Sequence, residues 1–302
     1  MASGVTGVSR RTFVFTGAAS LLSAGVARGR PRQPEQHDQA MTARDVVARI
    51  QAQVGVPWRE NTVDTFKAGD PDTVVTGVAT SVMATLDVLR QAVAAKRNLV
   101  ITHEPTFYTG TDEPGPRASD PVYLAKRAFI DEHRLVVWRF SDHWLARQPG
   151  EFTRALAETL GWTAGRDPAR EWLFTIPQTT VGAVAAHVRE RLQLRGGMRL
   201  VGRAETQVRR VVLSPGTTDL ASTVARLGDA DLVVSGEPRE WEAVEYVADT
   251  AVSGAPRSLL TIGRIVSEEP GMRACAAWLR TVLGNVPVDA LAIGDPYWRP
   301  AV

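Results

Sequence analysis

One cysteine, Cys275, is all the thiol chemistry this 302-residue sequence contains. A lone cysteine excludes an intrachain disulfide and a Cys-pair zinc site, and its apolar helical surroundings predict a packed thiol. Charge of one sign is missing too: 35 Lys and Arg stand against 33 Asp and Glu, a formal net charge of +2. That balance leaves no basic stripe and argues against nucleic acid as the main partner. No apolar run reaches the roughly twenty residues of a membrane span, so a soluble protein is expected. No Gly-x-Gly-x-x-Gly follows a strand pattern, and neither a P-loop nor a Gly-x-Ser-x-Gly elbow occurs. Ser141-Asp142-His143 holds the residue types of a catalytic triad, but three consecutive residues cannot form its relay.

At the N-terminus an apolar run over residues 14–26 follows Ser9-Arg10-Arg11-Thr12-Phe13, and Gly25 and Ala27 are small enough for cleavage. The pattern predicts a twin-arginine signal over residues 1–27, export to the periplasm or beyond, and no membrane attachment after the signal is removed. That route carries folded proteins, so a metal can be loaded before export. Residues 28–40 have no aliphatic or aromatic side chain larger than Ala and are expected to be a flexible leader.

The sequence does have a strand that runs into candidate ligands. Leu99, Val100, Ile101 and Thr102 suit a buried strand, His103 and Glu104 follow at once, and Pro105 stops the ladder. A second copy ends in Ser235-Gly236-Glu237-Pro238, with Glu237 in the place of Glu104. Around the first copy the patterns predict a helix from an N-cap at Thr42, a strand over 73–79, helices over 83–96 and 121–133, and a strand over 135–140. A helix opened by Pro149-Gly150 runs to Leu160, and the loop from 105 to 120 is long enough to be a lid. Around the second copy they predict strands over 208–214, 232–235 and 258–262, helices over 218–227 and 239–249, and a final helix from near Pro270.

Residues 75–105 and 208–238 align without a gap, which makes the chain an internal duplication. The fold expected is α/β: two pseudo-equivalent lobes, about 41–165 and 166–302, with a cleft between them where four loops meet. Further along, Phe140-Ser141 falls on Gly263-Arg264 and Leu145 on Glu268. Trp172, Phe174 and the helix over 181–192 are expected to bridge the halves. His187 in that helix reads as a hydrogen-bonded or surface histidine, and Glu240 and Glu242 as a solvated helix start.

Gly77-Val78-Ala79, Ile101-Thr102-His103-Glu104-Pro105, the Asp142 loop before Pro149-Gly150, Ser235-Gly236-Glu237, and Ile262-Gly263 leading to Ser267-Glu268-Glu269-Pro270 occur in one order. As a set, over about residues 42–300, the chain resembles the Nif-three-like dinuclear-metal family, whose bacterial members are often called GTP cyclohydrolase I type 2 homologues. The resemblance implies a two-lobed α/β protein in ring-shaped homohexamers, with two divalent metals in the cleft. GTP itself is a cytoplasmic nucleotide, which sits badly with export.

The family's ligands are two adjacent histidines, then a His-x-x-x-Asp, then a His-x-x-x-Glu. Carried over, these fall on His103 and Glu104, on Ser141 and Leu145, and on Arg264 and Glu268. His103, Glu104 and Glu268 therefore remain as metal ligands, with Asp142, His143 and Glu237 as candidate proton carriers. The reduced set favours one Zn, Mn, Fe or Mg ion over two. Two readings follow: a metal-dependent hydrolase of a small molecule, or a non-catalytic oligomeric binding or scaffold protein whose metal site has decayed into ion pairs around Arg264.

Overall fold

The computed structural model describes residues 40–148, 150–194, 197–294 and 296–297. The expected signal, the leader up to residue 39 and Pro149 lie outside the described residues.

Thr42 opens the fold as expected. Its side chain accepts from the Asp45 N–H while the Asp45 carboxylate accepts from the Thr42 N–H, a reciprocal cap that starts α1 (Ala43–Gln53). Then come β1 (Phe66–Ala68), β2 (Val78–Ser81), α2 (Leu86–Ala94) and β3 (Leu99–Thr102). Asp120 caps α3 (Pro121–Glu132), with proline at the first position, where it forfeits no hydrogen bond; β4 (Val136–Arg139) follows. A short α4 (Asp142–Ala146), unforeseen in the sequence, precedes α5 (Glu151–Leu160).

The second half runs β5 (Leu173–Thr180), α6 (Val181–Arg191), β6 (Arg199–Val201), β7 (Gln207–Thr218), α7 (Leu220–Leu227) and β8 (Leu232–Pro238). A π-helical turn at Glu240–Val244 leads into α8 (Glu245–Asp249), then β9 (Ser258–Thr261), α9 (Arg264–Leu283) and β10 (Val288–Ala290). The last helix starts at Arg264, not near Pro270, which lies inside it. Proline there forfeits one backbone bond, and burial on both lobes holds the helix together regardless.

Among the described residues the strands form two five-stranded sheets, ordered β1-β4-β3-β2-β10 and β5-β7-β8-β9-β6. The duplication is visible in the register. Val78 pairs with Leu99 and Val211 with Leu232, so one offset of 133 residues relates both strands of the two halves. The third strands follow a different offset: Thr102 pairs with Arg139 and Ser235 with Thr261. Ser141 therefore corresponds to Gly263, Asp142 to Arg264 and Ala146 to Glu268, one residue from the register expected. Both faces of β4 and β9 are buried, so neither strand carries the polar alternation that would have fixed the count.

Each sheet is covered on both faces. Val78, Leu99, Ile101 and Trp138 pack with α1 and with Met272, Cys275 and Leu279 of α9, while Ala79, Val100 and Val137 pack with Leu89 of α2 and Ile130 of α3. In the second sheet Val211, Leu213 and Leu232 face α5 and α6, and Val212 and Val233 face α7 and α8. Burial pushes the Cys275 thiol pKa up, which matches a packed thiol. β10 pairs with β2, so the last strand crosses the expected lobe division and returns to the first sheet.

Candidate metal centre

The end of β3 is held by the backbone on three sides. The Glu104 N–H donates to Val82 O at 2.7 Å, Arg139 Nε donates to His103 O at 3.1 Å, and Thr102 Oγ1 donates to Glu104 O at 3.1 Å. His103 is 4% exposed, and its ring lies 4.5 Å, centroid to centroid, from that of Phe152 on α5. From the other lobe, α9 supplies Arg264 and Glu268 one helical turn apart.

Two glycines make the room. Gly216 has φ +75°, and a Cβ there would lie 2.5 Å from Glu268 Oε1. A Cβ on Gly236 would lie 2.5 Å from both Gly216 O and Ser267 Oγ. Ser267 Oγ meanwhile accepts from Gly216 N at 2.9 Å and donates to Arg264 O at 2.6 Å, tying the start of α9 to the β7 bend.

His103, Glu104 and Glu268 converge as expected: one ligand atom from each lies within 4.8 Å of the others. His103 Nε2 is 3.4 Å from Glu104 Oε1 and 3.6 Å from Glu268 Oε1. Ligand atoms about 2.1 Å from one tetrahedral ion stand about 3.4 Å apart, so the two distances from His103 Nε2 are those of ligands on a single ion. Two buried donor atoms, His103 Nδ1 and Glu268 Oε2, have no hydrogen-bond partner among the described residues. The group fits one divalent ion, with one nitrogen and two carboxylate oxygens to offer.

Arg264 competes for the same oxygens. It donates through Nη2 to Glu104 Oε1, and its Nε and Nη1 lie 3.6 Å from Glu268 Oε1 and Glu237 Oε2. Burial alone would lower the Arg264 pKa, but Glu104, Glu268 and Glu237 together raise it above the ordinary arginine value.

Asp142 and His143 are brought to a different neighbourhood. The wholly buried His143 ring contacts Asp64 Oδ2 through Nδ1 at 2.6 Å, accepts from the Arg59 N–H through Nε2 at 2.9 Å, and stacks on Trp58. These contacts assign its proton to Nδ1. Asp142 accepts from Thr62 Oγ1 and the Val63 N–H; burial would raise its pKa, but those bonds and Arg59 hold it below the usual carboxylate value. Asp64 was the residue missed in the sequence. Its carboxylate accepts from the N–H groups of Ser141, Asp142 and His143, capping α4 from nearly eighty residues away, beyond any local capping signal. His187 behaves as expected, bonding Leu160 O at 2.8 Å and stacking on Trp162.

The sequence over residues 41–294 matches the family model Duf34/NIF3 (NGG1p interacting factor 3). The chain belongs to the Duf34/NIF3 family. Its fold is similar to that of the Staphylococcus aureus hypothetical protein SA1388, with a TM-score of 0.68 and 18% identity over 86% of this chain and 99% of that one. A Bacillus cereus protein related to NIF3 is similar at TM-score 0.67 and 13% identity, covering 86% and 99% of the two chains. Reduced HcgD from Methanocaldococcus jannaschii is similar at TM-score 0.61 and 15% identity, covering 83% and 98%. At these identities the likeness is one of fold. No curated protein matches the sequence.

Proposed function

We propose that this Duf34/NIF3 member is an exported hydrolase that uses one divalent ion on a small phosphoester or amide-like substrate. The observation that carries the reading is the convergence of His103, Glu104 and Glu268 within 4.8 Å, where Glu268 Oε2 is a buried carboxylate oxygen without a hydrogen-bond partner among the described residues. Leaving such an oxygen desolvated is costly unless a cation completes it. His103, Glu104 and Glu268 would hold the ion, which would supply Lewis acidity toward a phosphoryl or carbonyl oxygen and toward water. Glu237, with its side chain 62% exposed and 3.6 Å from Arg264 Nη1, is the carboxylate assigned to move the proton. Arg264 offers its guanidinium to a substrate oxyanion. The proton-moving role expected of Asp142 and His143 passes in this proposal to Glu237, because both of those side chains are already committed to residues 59–64. The twin-arginine pattern supports export, and the family resemblance supports a homohexamer, which light scattering tests.

Elemental analysis of protein purified without chelator should find about one transition metal per chain, and H103A/E268Q should hold none. Unchanged metal content in the double variant overturns the assignment. The hydrogen bond from Arg264 to Glu104 favours a second reading, a non-catalytic binding or scaffold protein with a decayed centre. On that reading the natural protein holds no metal and R264H gains affinity for it; no gain counts against decay.

A further inference from the structure

Glu268 also lines a cavity of about 250 Å³ walled by the start of α5, the bend of β7 and one face of α7. The bend is a bulge. Ser214 pairs with Ser235 and Thr217 with Glu237, so β7 spends one residue more than β8 and re-aims its hydroxyl side chains. Ser214, Thr217, Ser222 and Arg226 all line the cavity.

Arg226 is the unusual member. It is half-buried over the Trp172 ring and donates through Nη1 to Ser214 Oγ at 3.0 Å. Among the described residues no carboxylate lies within ion-pair distance of it. Burial pulls its pKa down, against a weaker pull upward from Asp219, yet arginine stays charged at neutral pH. Of the acidic groups nearby, Asp219 and Glu151 are engaged, and Glu268 is, among the described residues, engaged through Oε1 alone. Asp219 accepts from the N–H and Oγ of Ser222, Glu151 pairs with Arg147 and Arg154, and Glu268 faces His103 and Arg264. Ser214 Oγ accepts from both Arg226 and Thr218, which leaves its own hydrogen to donate. A partly desolvated guanidinium with spare N–H donors, ringed by hydroxyls, lacks an anion.

We propose that this cavity is an oxyanion-binding subsite in which Arg226 and the hydroxyls of Ser214 and Thr217 hold the phosphate or carboxylate end of a small molecule. The volume falls below the roughly 300–1,000 Å³ of pockets for drug-sized ligands, so the occupant is small. Because Glu268 lines the same cavity, the rest of that molecule lies beside the candidate metal centre. The subsite does not depend on the centre being loaded.

Titration calorimetry of chelator-treated full-length protein with inorganic phosphate, and separately with acetate, tests it. One of the two anions should bind the natural protein. Binding should weaken about tenfold or more in R226Q, which loses the charge, and in S222D, which brings a repelling carboxylate into the cavity. R203Q, at an arginine 87% exposed elsewhere, should leave binding unchanged. Should R226Q fail to fold, S222D decides, because an acidic residue in the first turn of α7 suits the helix dipole. Preference for phosphate or for acetate assigns the phosphoryl or carboxylate class, and either upholds the subsite. Absence of binding by both anions, or binding undiminished in folded R226Q or S222D, overturns it.

Discussion

The exits of β3 and β8 occupy the same register in two copies of one unit and have become different things. By the 133-residue offset His103 corresponds to Gly236, Glu104 to Glu237 and Met83 to Gly216. In the first copy an imidazole and a partly buried carboxylate leave the strand; in the second, a glycine has no room for even a methyl group, and its neighbouring carboxylate is exposed. Duplication has turned into division of labour. One half supplies His103 and Glu104, and the other supplies space at Gly216 and Gly236 together with Glu268 and Arg264 from α9. The outcome is one asymmetric centre in place of two.

The sharpest way to break that comparison is to fill the second exit. Gly236→Ala would press a methyl group onto the Gly216 backbone and Ser267 Oγ, at 2.5 Å from each. Backbone cannot yield as a flexible side chain does, so a loss of about 3 kcal/mol or more is expected in urea unfolding. Stability unchanged from the natural protein would mean that the second exit has space, and that sterics are not what separates the halves.

The halves differ next in what lies behind the exit. Arg139, which holds His103 O, belongs to a buried group in which Asp112 faces Lys67 and Arg139 at 3.5 Å each, and Lys126 donates to Thr106 O at 2.5 Å. The corresponding residue in the second half, Thr261, is uncharged. This cluster also fastens the loop expected as a lid, since Asp112 accepts from the N–H groups of Thr106 and Phe107. Burial pushes the Lys126 pKa down from 10.5 to about 8, against a smaller upward pull from Asp112. The unfolded chain therefore holds a proton between pH 8 and 10.5 that the folded chain has released, and stability rises with pH across that window. The gain is up to about 3 kcal/mol, lost again as pH falls through 8. Urea unfolding at pH 7.5 and pH 10 should show about this difference in the natural protein relative to Lys126→Met. Parallel pH profiles in the two proteins would remove the buried cation as a distinction between the halves.

The sequence made the strand exits legible because a short apolar run, two ligand-type residues and a proline are all local. It made the duplication legible because both copies keep the same spacing. Two features were out of reach because their partners are distant: Asp64 caps α4 from another segment, and β10 is a three-residue strand defined only by pairing with β2. The start of α9 at Arg264 was out of reach because its N-cap, Gly263, has no side chain to announce it. Arg226 was hidden differently. An arginine on an amphipathic helix reads as solvated until the fold places an aromatic ring beneath it and no carboxylate beside it.

The smallest effect probes the comparison most finely, because it sets Glu104 against Glu237 at one register position and around one cation. Glu104, its side chain 13% exposed, contacts both His103 and Arg264; Glu237, 62% exposed, pairs among the described residues with Arg264 alone, at 3.6 Å. Losing this mostly buried charge leaves Arg264 under-neutralised where water reaches only about a third of its side chain, so Glu104→Gln should cost about 1–2 kcal/mol. Glu237→Gln should fall within about 0.5 kcal/mol, as exposed pairs do, while abolishing turnover if Glu237 carries the proton. Combining each with Arg264→Gln isolates the two couplings, and the Glu104 coupling should be the larger. Equal couplings would mean that solvent screens both exits alike, and that the asymmetry lies in the missing histidine alone.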